Sequence, residues 1–244
     1  MKQPVLLVLF LLACWFIPVQ AKPNRVPVLN TLEDFFRFEN VEQLTSYFGE
    51  SNVFTEQTYY GDPTKNGKPY LHSEVNFGTS RSVLVIWNNE GNQVCEVKAS
   101  AYFYDYKSRK SKMIPNNWKT EQGIHAGMNL SQLTRVNWFV LKFWIHTGNL
   151  EDGTILPGFG WLKEKRKVTY STRKLIYQYT LDLKYVMNFY PELTPVVLKS
   201  SDKTVRKWNP MLEIITVYRE GLKPDAEGKV NKGLPGHNNF YSLH

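Results

Sequence analysis

Apolar positions recur at helical spacing in two stretches of the chain that open alike. NVEQLTSYFG spans residues 40–49 and NLSQLTRVNW spans residues 129–138, and four of the ten positions are identical. In both, an asparagine precedes a glutamine by three positions, which is the spacing of a capping box. The apolar residues that follow share one helical face. The sequence therefore predicts the same capped helix twice, beginning at Asn40 and at Asn129, and Gly49 ends the first.

Alternating apolar and polar positions after each helix predict antiparallel strands. After the first helix, YLHSEVNF (70–77) and RSVLVIW (81–87) lead through a turn at 88–92 into a strand that begins at Gln93. After the second, the alternation predicts strands over residues 138–146 and 175–183. A last helix-and-strand pattern, SDKTVRKWNP followed by MLEIITVYR, ends at Arg219.

The strand from Gln93 separates its side chains into two sets. Glu96, Lys98 and Ser100 fall on one face. The other face carries Cys95, Val97, Ala99, Ala101 and Phe103. Cys95 is therefore predicted to be a small buried residue rather than a reactive thiol.

The repeated helix opening predicts a duplicated unit. The expected fold class is α+β, with two repeated units of a short helix packed on an antiparallel sheet. The units span about residues 32–106 and 120–220 within one tandem domain, residues 22–220. Whether the two units share one sheet is left open. Residues 221–244 show no periodicity and are predicted to be a flexible tail.

The first 21 residues have the pattern of a secretory signal peptide. Lys2 precedes an apolar stretch, and Val19-Gln20-Ala21 places small residues where signal peptidase cleaves. The apolar stretch is short for a membrane span, so no transmembrane segment is expected after cleavage. The chain is predicted to be exported, either periplasmic or extracellular. An alternative is lipid anchoring through Cys14, because Leu11-Leu12-Ala13-Cys14 is similar to a lipoprotein box.

The charge of the chain favours acidic partners over nucleic acid. The formal net charge is +8, and 42% of the residues are hydrophobic, which suffices for a packed core. Basic residues concentrate over 107–112 and 163–174, with tyrosines and tryptophans nearby. Such clusters suit anionic lipid, acidic polysaccharide or an acidic protein, although lysines also occur on solvated strand edges. An exported protein seldom meets nucleic acid, so nucleic-acid binding is not expected.

Four stretches together resemble a known family. ENVEQLTSYFGESNV, VLVIWNN, GIHAGMNLSQLTRVN and LPGFGW look like a family of uncharacterised secreted bacterial proteins. Its unit is similar to the tandem module of beta-lactamase inhibitory proteins and of small outer-membrane assembly lipoproteins. The resemblance covers residues 32–165, with a fainter echo at 199–219, and implies the tandem fold and export. Two departures stand out: Trp138 follows Asn137 where the family has glycine, and Leu162 follows Trp161 where it has aspartate.

No catalytic or metal motif emerges from the residue spacing. The five histidines lack a second ligand at zinc-like spacing, and no nucleophile elbow of the Gly-x-Ser-x-Gly type occurs. No cofactor and no metal are predicted, and the chain is not expected to be an enzyme. An unrecognised hydrolase remains a third hypothesis, because export and a cleft-forming sheet would permit one.

The LPGFGW stretch and the basic segment after it form the candidate partner surface. Glycines around an aromatic can present it outward, or they can belong to a bulged strand whose aromatics complete the core. The candidate residues are Phe159, Trp161, Lys163, Lys165, Arg166 and Lys167. The preferred function is a noncatalytic protein-interaction module that binds another envelope or secreted protein. The alternative is a binder of anionic lipid or polysaccharide through this basic and aromatic patch.

Overall fold

The computed structural model describes residues 28–60, 68–105, 107–138, 140–145, 152–155, 166–167, 174–182 and 196–219. These residues form a mixed α+β fold, built on an antiparallel sheet with short helices. In these ranges, no helix has the length and apolar character that a membrane crossing requires.

Three α-helices and twelve strands make up this part of the chain. The α-helices are α1 (Val41–Phe48), α2 (Leu130–Asn137) and α3 (Lys203–Trp208), and 3-10 helices occupy Leu32–Arg37 and Glu50–Asn52. The strands are β1 (Val53–Tyr60), β2 (Lys68–Val75), β3 (Val83–Trp87), β4 (Val94–Ser100), β5 (Tyr102–Asp105), β6 (Lys110–Met113), β7 (Lys142–Ile145), β8 (Asp152–Ile155), β9 (Arg166–Lys167), β10 (Lys174–Asp182), β11 (Val196–Lys199) and β12 (Leu212–Arg219).

One ten-stranded sheet contains strands from both halves of the chain. Its strand order is β1-β2-β3-β4-β12-β10-β8-β7-β11, and β9 pairs with β10. β4 and β12 are antiparallel neighbours, with Ser100 opposite Ile214 and Val97 opposite Val217. The question that the sequence left open is therefore answered in favour of a continuous sheet. β5 and β6 form a separate hairpin.

The hydrophobic core lies between one face of the sheet and the helices. Leu44 of α1, Leu130 and Leu133 of α2 and Val205 of α3 belong to a single buried cluster. The sheet contributes alternating side chains to that cluster: Val75, Val83, Val85, Trp87, Val94, Val97, Ala99, Phe143, Leu175, Tyr179, Leu181, Leu198, Leu212, Ile215 and Val217. The predicted alternation over β10 is confirmed for Leu175, Tyr179 and Leu181, whereas position 183 lies outside the described residues.

Both predicted helix caps are present. Asn40 Oδ1 accepts a hydrogen bond from Gln43 N at 2.8 Å, and Asn129 Oδ1 accepts one from Gln132 N at 2.9 Å. Gln132 Oε1 accepts from Asn129 N at 2.9 Å, which completes the reciprocal capping box. In the first helix, Gln43 Oε1 accepts from Glu39 N at 3.0 Å, one residue before the cap. The shared Asn-x-x-Gln spacing thus produces the same helix start twice.

Two strand predictions were too long. The strand from Gln93 ends at Ser100, and Phe103 lies in the β5–β6 hairpin instead of the large sheet. Ile86 pairs with Glu96 and Trp87 pairs with Val94, so Cys95 sits at a bulge between them, where it is buried as predicted. Among the described residues within 138–146, only β7 is a strand. Trp138 does not belong to it, because its backbone is left-handed.

Polar side chains hold the 3-10 helix at Leu32–Arg37 in place. The sequence pattern did not predict this helix. Glu33 Oε1 accepts from Glu121 N at 2.9 Å. Arg219 Nη2 donates to the carbonyl of Phe36 at 2.8 Å and lies over its ring. Burial raises the pKa of Glu33, and burial together with the Glu33 carboxylate raises the pKa of Tyr177. These contacts connect the start of the described chain to its last strand.

Removing either asparagine cap is expected to destabilise the fold. Asn40→Ala and Asn129→Ala each leave a helical amide without its side-chain acceptor, which costs about 1 kcal/mol. Asn129→Ala should cost more, because Ser131 Oγ also donates to Asn129 Oδ1 at 2.7 Å. Urea unfolding of both variants measures this, and Asn40→Asp, which keeps the acceptor, is the control. Equal stability of wild type and both alanine variants would contradict the capping assignment.

His72 is expected to make stability depend on pH. Burial lowers the pKa of His72 from its usual value of 6.5, and the Glu56 carboxylate, 3.4 Å from Nε2, opposes this only in part. Between pH 6.5 and the lower folded pKa, the unfolded chain binds more protons, so stability falls as the pH falls through that window. The slope from this group is at most about 1.4 kcal/mol per pH unit.

The measurement compares urea unfolding of wild type and His72→Phe from pH 7.5 to pH 5. The variant keeps an aromatic ring but cannot titrate, so its stability should fall less steeply with decreasing pH. Parallel pH profiles for the two proteins would show that His72 does not contribute.

Candidate functional site

Most of the sequence-predicted partner surface lies outside the described residues. Phe159, Trp161, Lys163 and Lys165 belong to that part of the chain. The backbones of Arg166 and Lys167 form β9, with Arg166 opposite Leu175 and Lys167 opposite Lys174. The proposed role of these six residues therefore stays a prediction.

A different aromatic residue, Trp138, is prominent in the described structure. It is the residue that ends α2, and its backbone is left-handed at φ 64° and ψ 0°. Its side chain is 85% exposed. A left-handed backbone conformation destabilises a residue other than glycine by about 1 kcal/mol. Because the indole is exposed, burial of apolar surface does not offset this cost. The combination points to a role in binding, because strain of this kind concentrates at functional positions.

The first helix has a glycine at the equivalent position. Gly49 ends α1 at φ 87° and ψ 144°, so its φ is positive like that of Trp138 but its ψ differs, and its amide donates to Thr45 O at 2.7 Å. The amide of Trp138 likewise donates to Thr134 O at 2.9 Å. The two helices thus end with the same type of hydrogen bond, but only the first uses the residue that accepts positive φ without a steric cost.

A groove of about 330 Å³ adjoins the end of α2. Leu130, Thr134 and Val140 form its apolar side, and Val140 is 45% exposed. The full lining is Leu130, Ser131, Thr134, Val140, Ser200, Ser201, Arg206 and Asn209. The backbone amide of Trp138 donates to Thr134 O, and Thr134 lines the groove. The exposed tryptophan therefore comes directly after the helix that forms one wall.

The segment that leads into β12 holds the groove walls together. Leu130 N donates to Pro210 O at 2.7 Å, and Ser131 N donates to Asn209 Oδ1 at 2.9 Å. On the opposite side, Leu141 N donates to Ser200 Oγ at 2.9 Å. The ends of α2, α3 and β11 are therefore fixed relative to one another, and the groove is preformed.

Basic residues are frequent in the two segments that line the groove. The segments 130–142 and 197–209 together contain six lysines and arginines and a single acidic residue, Asp202. Five of the basic side chains are exposed, and we call them the basic rim: Arg135, Lys199, Lys203, Arg206 and Lys207. A positive potential over an apolar groove attracts acidic ligands and partners.

The other described basic cluster is partly neutralised. In the β5–β6 hairpin, Lys112 Nζ lies 2.5 Å from Asp105 Oδ2. Lys112, followed by the hydroxyl of Ser108, holds the pKa of Asp105 below its usual range. Lys107, Arg109 and Lys110 remain exposed in this hairpin. The Asp105 carboxylate therefore offsets one of the hairpin's four positive charges.

Histidine positions in the described structure do not gather around a metal. Within the described ranges, no three histidine, cysteine or carboxylate side chains lie close enough together to hold a metal ion. Nδ1 of His125 lies 3.1 Å from the carbonyl oxygen of Ala126, and His72 is buried beside Glu56. The sequence predictions for positions 146, 237 and 244 concern residues outside the described ranges.

Comparison with known proteins adds no assignment. No family model, curated protein or solved structure matches this chain. The resemblance to secreted bacterial proteins with tandem helix-and-sheet modules therefore stays a prediction.

The sequence contains one signal that could have identified Trp138. The repeat alignment puts Trp138 at the position of Gly49. A bulky residue at a helix end with positive φ is a conflict between local preference and fold, and such conflicts are expected at functional sites. The strand predicted over residues 138–146 included Trp138, so its place at the helix end was not predicted.

Replacing Trp138 with glycine is expected to stabilise the protein. Trp138→Gly relieves the left-handed strain and removes a side chain that buries little surface, so the free energy of unfolding should rise by about 0.5–1 kcal/mol. The matched reverse change, Gly49→Ala, should lower it by roughly 1 kcal/mol or more. Urea unfolding of both variants tests this, and a destabilised Trp138→Gly would show that the indole is structural.

Proposed function

We propose that this chain is an exported, noncatalytic protein-interaction module of the bacterial cell envelope or secretome, and that Trp138 and the adjoining groove form its docking surface. The observation that carries the proposal is Trp138 itself, exposed at a strained helix end. Tryptophan and arginine are the residue types that most often anchor protein interfaces. Arg206 lines the apolar groove, and Trp138 ends the helix whose Leu130, Ser131 and Thr134 also line it.

Export and the repeated architecture belong to the same proposal. The secretory pattern of residues 1–21 supports export. The strand order supports two units of the kind seen in tandem helix-and-sheet modules: β1-β2-β3-β4 follows α1, and β7, β8, β10 and β12 follow α2 in mirrored order. In this arrangement each unit contributes its innermost strand, β4 or β12, to the central pair.

A second candidate is binding to anionic lipid or polysaccharide. The exposed Lys107, Arg109 and Lys110 of the hairpin favour it, as does the basic segment over 163–174. Binding that depends on unpaired surface charge should weaken steeply as salt is added. A docking surface that also contains a tryptophan contact should retain more of its affinity at high salt, because apolar contacts are not screened.

Site-specific photo-crosslinking tests the docking surface. A benzophenone amino acid at position 138 or 140 should yield one discrete protein adduct in cells that naturally express the chain. The same amino acid in place of Met113, which is 54% exposed in β6, is the matched control and should not yield that adduct. The purified partner should then bind Trp138→Gly at least about tenfold more weakly than wild type, as expected for an interface tryptophan.

Because Trp138→Gly is expected to stabilise the protein, a loss of partner binding by this variant would not be caused by unfolding. An adduct that forms equally from position 113, or undiminished binding by Trp138→Gly, would refute the docking surface. Adducts with lipid or glycan alone would favour the second candidate.

A further inference from the structure

The hydroxyl and amide groups of the groove are already committed to the fold. Ser131 Oγ donates to Asn129 Oδ1 at 2.7 Å, and Thr134 Oγ1 donates to Leu130 O at 2.7 Å. Ser200 Oγ accepts from Leu141 N, and Asn209 Oδ1 accepts from Ser131 N. A ligand therefore meets an apolar floor whose polar groups are mostly occupied.

Arg206 is the charged side chain that lines this groove. It projects from α3, whose Val205 is anchored in the core, so its backbone position is fixed. Among the described residues, Arg206 forms no ion pair. A guanidinium beside apolar surface is well suited to hold a carboxylate, because it offers paired donors in a planar arrangement.

The charge around the groove disfavours a second copy of the chain as the natural occupant. The chain carries a net charge of +8, and the basic rim would repel an equally basic molecule. The same rim complements a segment that is acidic on both sides of an apolar residue. The volume of about 330 Å³ accommodates one large side chain of such a segment.

We propose that the groove binds an acidic segment of a partner protein, which inserts one apolar side chain against Leu130 and Val140 and sets a carboxylate on Arg206. This inference rests on the proposed docking function and specifies the chemistry of the partner. The basic rim accelerates association with the acidic segment, and the apolar contact with Trp138 and Val140 determines how long it stays bound.

Peptide selection on the full protein tests the proposal. A phage library of random dodecapeptides is selected on wild-type protein, with peptides that also bind Trp138→Gly removed. The enriched sequences should be acidic and carry a shared apolar residue. By fluorescence polarisation, a synthetic consensus peptide should bind Arg206→Glu about tenfold more weakly than wild type.

Lys119→Glu is the matched control, because it makes the same charge change at an exposed position that belongs to neither candidate surface. It should leave peptide affinity within about twofold of wild type, since a charge outside the contact surface is largely screened by salt. The thermal midpoint of each variant verifies folding.

The outcomes distinguish the acidic character of the partner segment from the existence of the docking surface. Enrichment of neutral or basic peptides, or equal effects of Arg206→Glu and Lys119→Glu, would overturn the acidic assignment and leave the docking surface standing. A failure to enrich any peptide that depends on Trp138 would overturn both.

Discussion

The pairing of β4 with β12 is the interaction on which the rest of the structure depends. It joins strands more than one hundred residues apart in sequence, and it places the last described strand in the middle of the sheet. β12 pairs with β4 on one side and with β10 on the other. Without β12, the β1–β4 part of the sheet and the part that contains β10 would not be joined. Long-range pairing of this kind forms slowly, since loop closure precedes the contacts that compensate for it.

The same strand builds the candidate site at a distance from its own pairing. The residues just before β12 bond to α2 through Pro210 and Asn209, and Asn129 forms a bridge with Met211. The groove between α2 and α3 therefore depends on the pairing of β12 within the sheet. If the groove is the docking surface, as we propose, this support holds it rigid before a partner arrives, which reduces the entropy lost on binding.

Trp138 illustrates how local strain and a stable scaffold coexist. The end of α2 requires a left-handed residue, and the reciprocal cap at Asn129 together with buried Leu130 and Leu133 holds the helix in place regardless. The scaffold thus tolerates a residue that is poor for stability at its surface. This arrangement is typical of positions kept for recognition, where stability and function favour different side chains.

The sequence by itself determined the α-helices, the two asparagine caps and the buried face of β10, because capping and periodicity depend on residues only a few positions apart. It also predicted an α+β fold and a buried Cys95. It did not determine the extent of β4, the 3-10 helix at Leu32–Arg37, or the union of the strands into one sheet, since those depend on contacts such as Glu33 with Glu121 and β4 with β12. The groove likewise was decided only by the tertiary structure, because its walls come from segments about seventy residues apart. Trp138 lies between the two: its conflict with the helix end was written in the sequence, but its exposure was visible only once the chain had folded.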